Sequence, residues 1–331
     1  MAPTIPPHNP PSPNPNLLLT RCAIVLLLPG IWTITFSTPV LLYFFSPVPF
    51  KYLLGLYLAW FAYDARSPFS GGWSVSWFRR LKFFSLCADY HDFGLTVEPK
   101  ALKALKGDEK PVLFCVHPHG VMCAGHAFQT FGFDTPRSVQ RLVPSRTYRV
   151  MTIQMSFFLP LWREFISALG FIDASRGAAK KAVQKGHSIV LVPGGASEAL
   201  LGSHYNPEII LHKRKGFCKM AIQNDTPIYP CFTFGENELF DHVDVHSNPL
   251  VRSFRSFAKR TFGITVPLLK NVVPKRSPLS TVIGPPVNPK DCKKEGDERI
   301  DELHGMYVKG LEELYERHRK DHKYGVLKIV E

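Results

Sequence analysis

No two of the seven cysteines stand at C-x-x-C spacing, their number is odd, and several fall inside apolar runs. That speaks against a disulfide framework and for reduced, mostly buried thiols in a reducing compartment. Acid is also scarce: 27 Asp and Glu face 40 Lys and Arg, for a formal net charge of +13. Such a balance suits an anionic partner, be it nucleic acid, anionic lipid or a phosphorylated ligand. A recognised nucleic-acid-binding motif is missing, so no nucleic acid partner is expected. There is no H-E-x-x-H and no internal repeat. Charge disappears altogether between Cys22 and Phe50.

That uncharged run is long enough for one bilayer crossing of roughly 20 residues. A second apolar run, YLLGLYLAWFAY (52–63), follows after Lys51. Pro29, Pro39, Pro47 and Pro49 interrupt the first, and Trp32, Tyr43, Tyr52, Tyr57 and Trp60 suit the interfaces. Residues 17–66 therefore read as a membrane segment, either one span or a re-entrant helical hairpin. Residues 1–16 carry seven prolines and read as a disordered tail. No basic cluster or small-x-small site frames the run as a cleavable signal. SVSWFRRLKFFSLCADY (74–90) sets Trp77, Phe78, Leu81 and Phe84 beside Arg79, Arg80 and Lys82. It reads as a helix on the membrane surface with its basic groups toward headgroups, or as an ordinary amphipathic helix. Positive charge after the apolar region places the remaining chain on the cytosolic side.

Residues 67–331 form the expected cytosolic-facing domain. PVLFCV (111–116) reads as a fully buried strand and residues 146–153 as another. Ser175 is the expected N-cap of a helix over 177–185 that stops at Gly186. A strand over 188–192 and a Pro193-Gly194-Gly195 turn follow. GFCKMAIQ reads as a helix, PIYPCFTF as a strand, and residues 300–320 as a surface helix. Alternating strands and helices imply an α/β fold, a mostly parallel sheet flanked by helices. Reactive groups in such sheets gather beyond the carboxyl ends of the strands. His117 and His119 lie beyond one such end; Gly194, Gly195 and Glu198 lie beyond another.

Three readings compete for the pair of histidines in HPHG (117–120). A metal pair needs further ligands on later strands, and His126, His187, His204 and His212 are not placed to supply them. Packing filler is the second reading. A proton-transfer base fits best, because imidazole titrates near working pH. Pro118 sharpens the turn, and Gly120 lets backbone approach a substrate. Amides starting the next helix are then the expected oxyanion donors. Cys115 and Cys123 offer a thiol alternative, with only the two histidines nearby to activate it.

HPHG (117–120), VPGGASE (192–198), RKGFCKMAI (214–222) and FGENELF (234–240) together resemble the type-2 diacylglycerol acyltransferase family. That family includes monoacylglycerol acyltransferases and wax-ester synthases. GFIDASR (170–176) is similar to the arginine-bearing acceptor motif of glycerophosphate acyltransferases, and VPGGASE takes the place of their proline-glutamate-glycine motif. Their H-x-x-x-x-D is not kept: five residues on from His117 stands Met122, and from His119, Ala124. The tyrosine-phenylalanine-proline motif is also missing, with DYHDFGLTVEP near its place. QNDTPIYP lacks the usual glycine before the last strand.

The resemblance implies a glycerophosphate-acyltransferase-like fold and acyl transfer from fatty acyl-coenzyme A to a neutral-lipid hydroxyl, with diacylglycerol as acceptor. Monoacylglycerol and a long-chain alcohol are the alternative acceptors. It implies His119 as base and His117 as its support; with the aspartate partner missing, Glu198 is the candidate for the group that orients the base. Gly120, Gly194, Gly195 and Gly216 shape the substrate site, while Arg176, Arg214 and Lys215 meet coenzyme A phosphates, with Lys180 and Lys181 weaker. No cofactor beyond the acyl-coenzyme A substrate is implied. The expected place is the endoplasmic reticulum membrane or a lipid droplet, and a homo-oligomer is compatible with it. Outside this class stand a metal-dependent hydrolase and a non-enzymatic lipid-droplet protein.

Overall fold

The structure, a computed structural model, describes residues 48–130, 137–201, 205–241, 269–271 and 273–330. The tail and most of the expected membrane segment lie outside them. The described part of that segment is helix α1 (Val48–Tyr63). No helix among the described residues is long and apolar enough to cross a membrane. Tyr52, Leu53, Leu56 and Trp60 of α1 stay exposed, while its inner face is tied to the body. Tyr57 Oη donates to Glu164 at 2.7 Å, and Arg163 Nη1 donates to the Phe61 carbonyl at 2.5 Å.

The expected surface helix over 74–90 is two pieces, α2 (Ser76–Arg79) and α3 (Lys82–Tyr90), broken at Leu81 with ψ of 133°. Its charge does not all face outward. Arg79 is buried and donates to the Thr130 carbonyl at 3.1 Å. Burial, with Arg149 beside it, pushes that guanidinium down to about 10. Phe84, Cys87 and Tyr90 turn into the core on the same side, leaving Trp77 exposed. The break gives α3 its own rotation, and its apolar stripe follows the body of the protein.

The chain then runs β1 (Gly94–Val97), α4 (Pro99–Gly107), β2 (Leu113–His117), α5 (Ala124–Thr130) and α6 (Val139–Leu142). β3 (Thr147–Thr152), α7 (Trp162–Leu169), β4 (Phe171–Asp173), α8 (Arg176–Gln184) and β5 (His187–Leu191) follow. β6 (Glu208–Ile210), α9 (Gly216–Gln223), β7 (Ile228–Phe234), β8 (Ser280–Ile283), α10 (Gly296–His318) and β9 (Lys328–Val330) complete it. Ser175 caps α8 as expected, its Oγ accepting from the Ala178 amide at 3.3 Å.

Seven strands form one sheet in the order β1-β8-β7-β2-β5-β3-β4. From β7 to β4 all neighbours run parallel, and β8 pairs antiparallel with β7. β2 sits in the middle because all five of its side chains are buried, as a strand covered on both faces requires. Phe114, Val116, Tyr148, Val150 and Val190 pack on one face, against Phe84, Ala88 and Ala124. Leu113, Cys115, Ile189 and Phe232 pack on the other, against α8, α9 and α10.

α10 is more than a surface helix. Leu303, Tyr307, Leu311, Leu314 and Tyr315 are fully buried, and each such side chain contributes roughly 1.5–3 kcal/mol by leaving water. The charged residues that suggested a surface position occupy its other face. β9 pairs with β6 in a second, two-stranded parallel sheet. The parallel strands all point the same way, so the turns after β2, β3, β4 and β5 meet at one edge.

Candidate active site

At that edge β2 ends in His117 and the chain turns through a cis His117-Pro118 bond. The two histidines part company there. His117 is fully buried. Its Nε2 lies 2.9 Å from Tyr307 Oη on α10, and its Nδ1 lies 3.9 Å from Glu198 Oε1. His119 instead lines a cavity of about 870 Å³.

The orientation of His119 is chemically specific. Its Nδ1 lies 2.8 Å from the Gly120 carbonyl oxygen. A carbonyl only accepts, so Nδ1 carries the proton and Nε2 keeps its lone pair. Burial pushes the imidazole below its ordinary pKa, with the Gly120 carbonyl and Glu198 opposing the shift. The ring is therefore neutral at neutral pH, the state a general base requires.

Glu198 does not orient that ring. It is buried, and its Oε2 accepts from the His119 backbone N–H at 2.7 Å. Its Oε1 accepts from the Ile210 amide at 2.8 Å. The carboxylate thus ties the turn after β2 to β6, and the Gly120 carbonyl does the orienting. Gly194 is a glycine because a Cβ there would stand 1.8 Å from Glu198 Oε1.

The expected oxyanion donors are already engaged. Ala124 and Gly125, the first residues of α5, donate their amides to Glu236 Oε1 at 2.9 Å and Oε2 at 2.8 Å. Glu236 is buried, and burial pushes its carboxyl up to about 7 against the pull of those amides.

Around His119 the cavity has two characters. Phe84, Phe128, Trp162, Phe165, Leu169 and Met220 make most of its wall apolar. Arg176, Gly195, Lys213, Arg214, Lys215 and Gly216 also line it. Lys215 Nζ contacts Asp301 at 2.6 Å, so part of its charge is already matched. Gly120, Gly194, His117 and Glu198 stand behind the wall, and Lys180 and Lys181 are not part of it. Tyr307, Glu236 and Lys213 are the contributors that sequence reasoning missed. Glu236 lay inside a motif already singled out, Lys213 beside another, and Tyr307 carried no sequence signal beyond helical spacing.

Two alternatives can be weighed on the same geometry. Cys115 and Cys123 are buried, and burial pushes both thiols well above their ordinary range, with Glu236 and Glu198 adding to the effect at Cys123. Neither is poised as a thiolate. Among the described residues, no three or more His, Cys, Asp or Glu side chains are grouped to hold a metal ion.

Comparison with known proteins bears on the same residues. "Diacylglycerol O-acyltransferase 2A" of Umbelopsis ramanniana is 29% identical over 91% of this chain and 85% of its own length. "Diacylglycerol O-acyltransferase 2" of Dictyostelium discoideum is 30% identical over 82% of this chain and 85% of its own. "Acyl-CoA wax alcohol acyltransferase 1" of Homo sapiens is 30% identical over 80% and 82%. The crystal structure of the 1-acyl-sn-glycerophosphate acyltransferase PlsC from Thermotoga maritima superposes with a TM-score of 0.43 at 13% identity, covering 90% of this chain and 97% of that one. The family described as "Diacylglycerol acyltransferase" matches residues 41–331, a stretch that holds both histidines, the cavity and α10. The chain is an acyltransferase and belongs to the diacylglycerol acyltransferase family.

Proposed function

We propose that the protein transfers a fatty acyl group from acyl-coenzyme A to the free hydroxyl of diacylglycerol, giving triacylglycerol and free coenzyme A. The observation that carries this reading is the His119 ring, held with its Nε2 lone pair available beside a largely apolar cavity that also has cationic lining. His119 Nε2 takes the hydroxyl proton, and the alcohol oxygen attacks the thioester carbonyl. The carbon–sulfur bond then breaks, and the proton passes from the imidazolium to the departing thiolate. General-base help of this kind contributes roughly 10²–10⁴-fold.

His117 and Glu198 act from behind the wall by holding the turn. Arg176 at the start of α8 and Lys213, Arg214 and Lys215 just before α9 meet the phosphates of coenzyme A. The acyl chain lies in the apolar part. No metal or further cofactor enters this scheme. In the same proposal residues 17–66 are the membrane segment and residues 67–331 the acyltransferase domain, working at the cytosolic face of the endoplasmic reticulum or of a lipid droplet. Homo-oligomers fit the scheme as well.

The human relative, named for a wax alcohol, favours a long-chain alcohol as the alternative acceptor. Expression in a host without neutral lipids, followed by lipid extraction and separation, decides between them. Triacylglycerol is expected; wax ester or diacylglycerol instead would replace the acceptor, and no new lipid would remove the reading.

A further inference from the structure

The proposed transfer leaves the buried carboxylate of Glu236 without a task, and it lies directly behind the His119 turn. Glu236 is 2% exposed and stands more than a hundred residues along the chain from His119. It grips the segment after His119 in two places. Its two oxygens take the amides of Ala124 and Gly125 at 2.9 and 2.8 Å. Its aliphatic stem packs on Gly120, where a Cβ would stand 2.6 Å from Glu236 Cγ. Gly120 has φ of +55°, so its peptide is set by this packing and by the absence of a side chain. The carbonyl of that same glycine receives the His119 Nδ1 proton at 2.8 Å.

We propose that Glu236 is a positioning residue of the transfer centre: by clamping Gly120 and the start of α5, it holds the carbonyl that keeps His119 in its Nδ1–H form. The proposal rests on His119 being the base. The two neutral tautomers of imidazole are chosen by the partner of one nitrogen. If the Gly120 peptide turns away, rings with the proton on Nε2 become populated and cannot accept a proton from the alcohol. A small displacement of the ring also lowers the rate, since about 1 Å of misplacement costs on the order of 10²-fold.

Glu236→Gln tests this because it keeps volume while changing chemistry. The glutamine oxygen can accept one amide, but its NH₂ then faces the other, so one buried donor loses its acceptor. The full chain, His119→Ala, Glu236→Gln and the double variant are compared for kcat, KM and melting temperature. For Glu236→Gln the expected result is a kcat lower by about 10–100-fold, with KM for acyl-coenzyme A and acceptor within about twofold. Its melting temperature should lie within about 5 °C of wild type.

On the His119→Ala background the same change should alter the residual rate by less than about twofold, because both act through one ring. An unchanged kcat, an equal loss on both backgrounds, or a larger fall in melting temperature would each overturn the positioning role. Full turnover by His119→Ala would remove the base itself, an outcome separable from an inert Glu236→Gln beside a dead His119→Ala.

Discussion

Tyr307 Oη lies 2.9 Å from His117 Nε2, joining the middle of α10 to the last residue of β2. Tyr307 also donates to the Cys115 carbonyl at 3.4 Å. Without its hydroxyl the buried imidazole of His117 would have no partner at that nitrogen. Tyr307→Phe is therefore expected to cost about 1–3 kcal/mol of stability, the cost of leaving a buried polar group unsatisfied. Turnover should fall far less than in His119→Ala, because Tyr307 lies outside the cavity wall. Chemical denaturation and kcat on the same preparation check both parts; a kcat loss matching that of His119→Ala would move His117 into the chemistry.

The packing of α10 was only half legible in the sequence, and the reason is physical. Its helical spacing showed an apolar stripe, but a stripe does not say what it covers. Leu311 and Leu314 pack with Phe232 of β7 in one cluster, a contact between residues far apart in the chain. The central strands were legible because a short, wholly apolar run has few places to go except the middle of a sheet. β2, β3, β5 and β7 lie within two residues of where their runs predicted them. The turn that carries His119 was legible too, since Pro118 and Gly120 announce a turn at a strand end.

The role of Glu198 was misplaced for a different cause. Its distance from His119 is fixed by the turn after β5, and a sequence cannot tell a contact with a ring from one with a backbone amide. Arg79 misled in a related way. A run of basic residues reads as an outer face until one of them finds a carbonyl inside.

Leu311→Ala probes the buried face of α10. Removing a fully buried leucine typically costs about 2–5 kcal/mol, depending on how far the site collapses. The expected outcome is a marked loss of stability with KM for acyl-coenzyme A unchanged in the protein that remains folded. A stability change below about 0.5 kcal/mol, the range of ordinary surface substitutions, would contradict the burial of that face.

The cationic lining predicts a graded effect on acyl-coenzyme A. Arg214→Ala and Lys213→Ala each remove a cavity-lining charge, and KM for acyl-coenzyme A should rise several-fold in both. Lys215→Ala should do less, since Lys215 is partly matched by Asp301. Raising the salt concentration should narrow the difference between wild type and the first two variants, because exposed charge interactions are screened. KM values unchanged from wild type in all three would detach this lining from the phosphates.

Stability should fall on the acid side, with a window set by buried histidines. Burial holds His91 down to about 4, and burial with His119 nearby holds His126 down to about 3. An unfolded histidine titrates near 6.5, so below that value the unfolded chain binds protons that the folded one refuses. The stabilising contribution of each is complete above about 6.5 and is lost as pH falls toward the folded value.

Glu236 has the opposite sign. Its carboxyl is pushed up to about 7, so its contribution is complete below about 4.5 and declines as pH rises through 7. Glu236→Gln should therefore steepen the loss of stability between pH 7 and 4.5, and His91→Gln should flatten the loss below 6.5. Denaturation midpoints measured across pH would show both, and parallel curves for all three proteins would refute the assignment.

Gly194 and Gly195 make the sharpest contrast in the site, since they are neighbours held for different reasons. A Cβ on Gly194 would stand 1.8 Å from Glu198 Oε1 and 2.0 Å from its Cδ. The Glu198 carboxylate cannot yield without releasing the His119 and Ile210 amides that it accepts. At Gly195 a Cβ meets nothing within 4 Å, and the constraint is φ of +64°. That conformation costs a side-chain-bearing residue about 1–2 kcal/mol. Gly195→Ala should thus fold with slightly lower stability and keep most of its turnover. Gly194→Ala should lose activity by displacing Glu198, and with it the His119 turn. If the two variants lose turnover equally while remaining folded, the Glu198 carboxylate is not what holds the His119 turn.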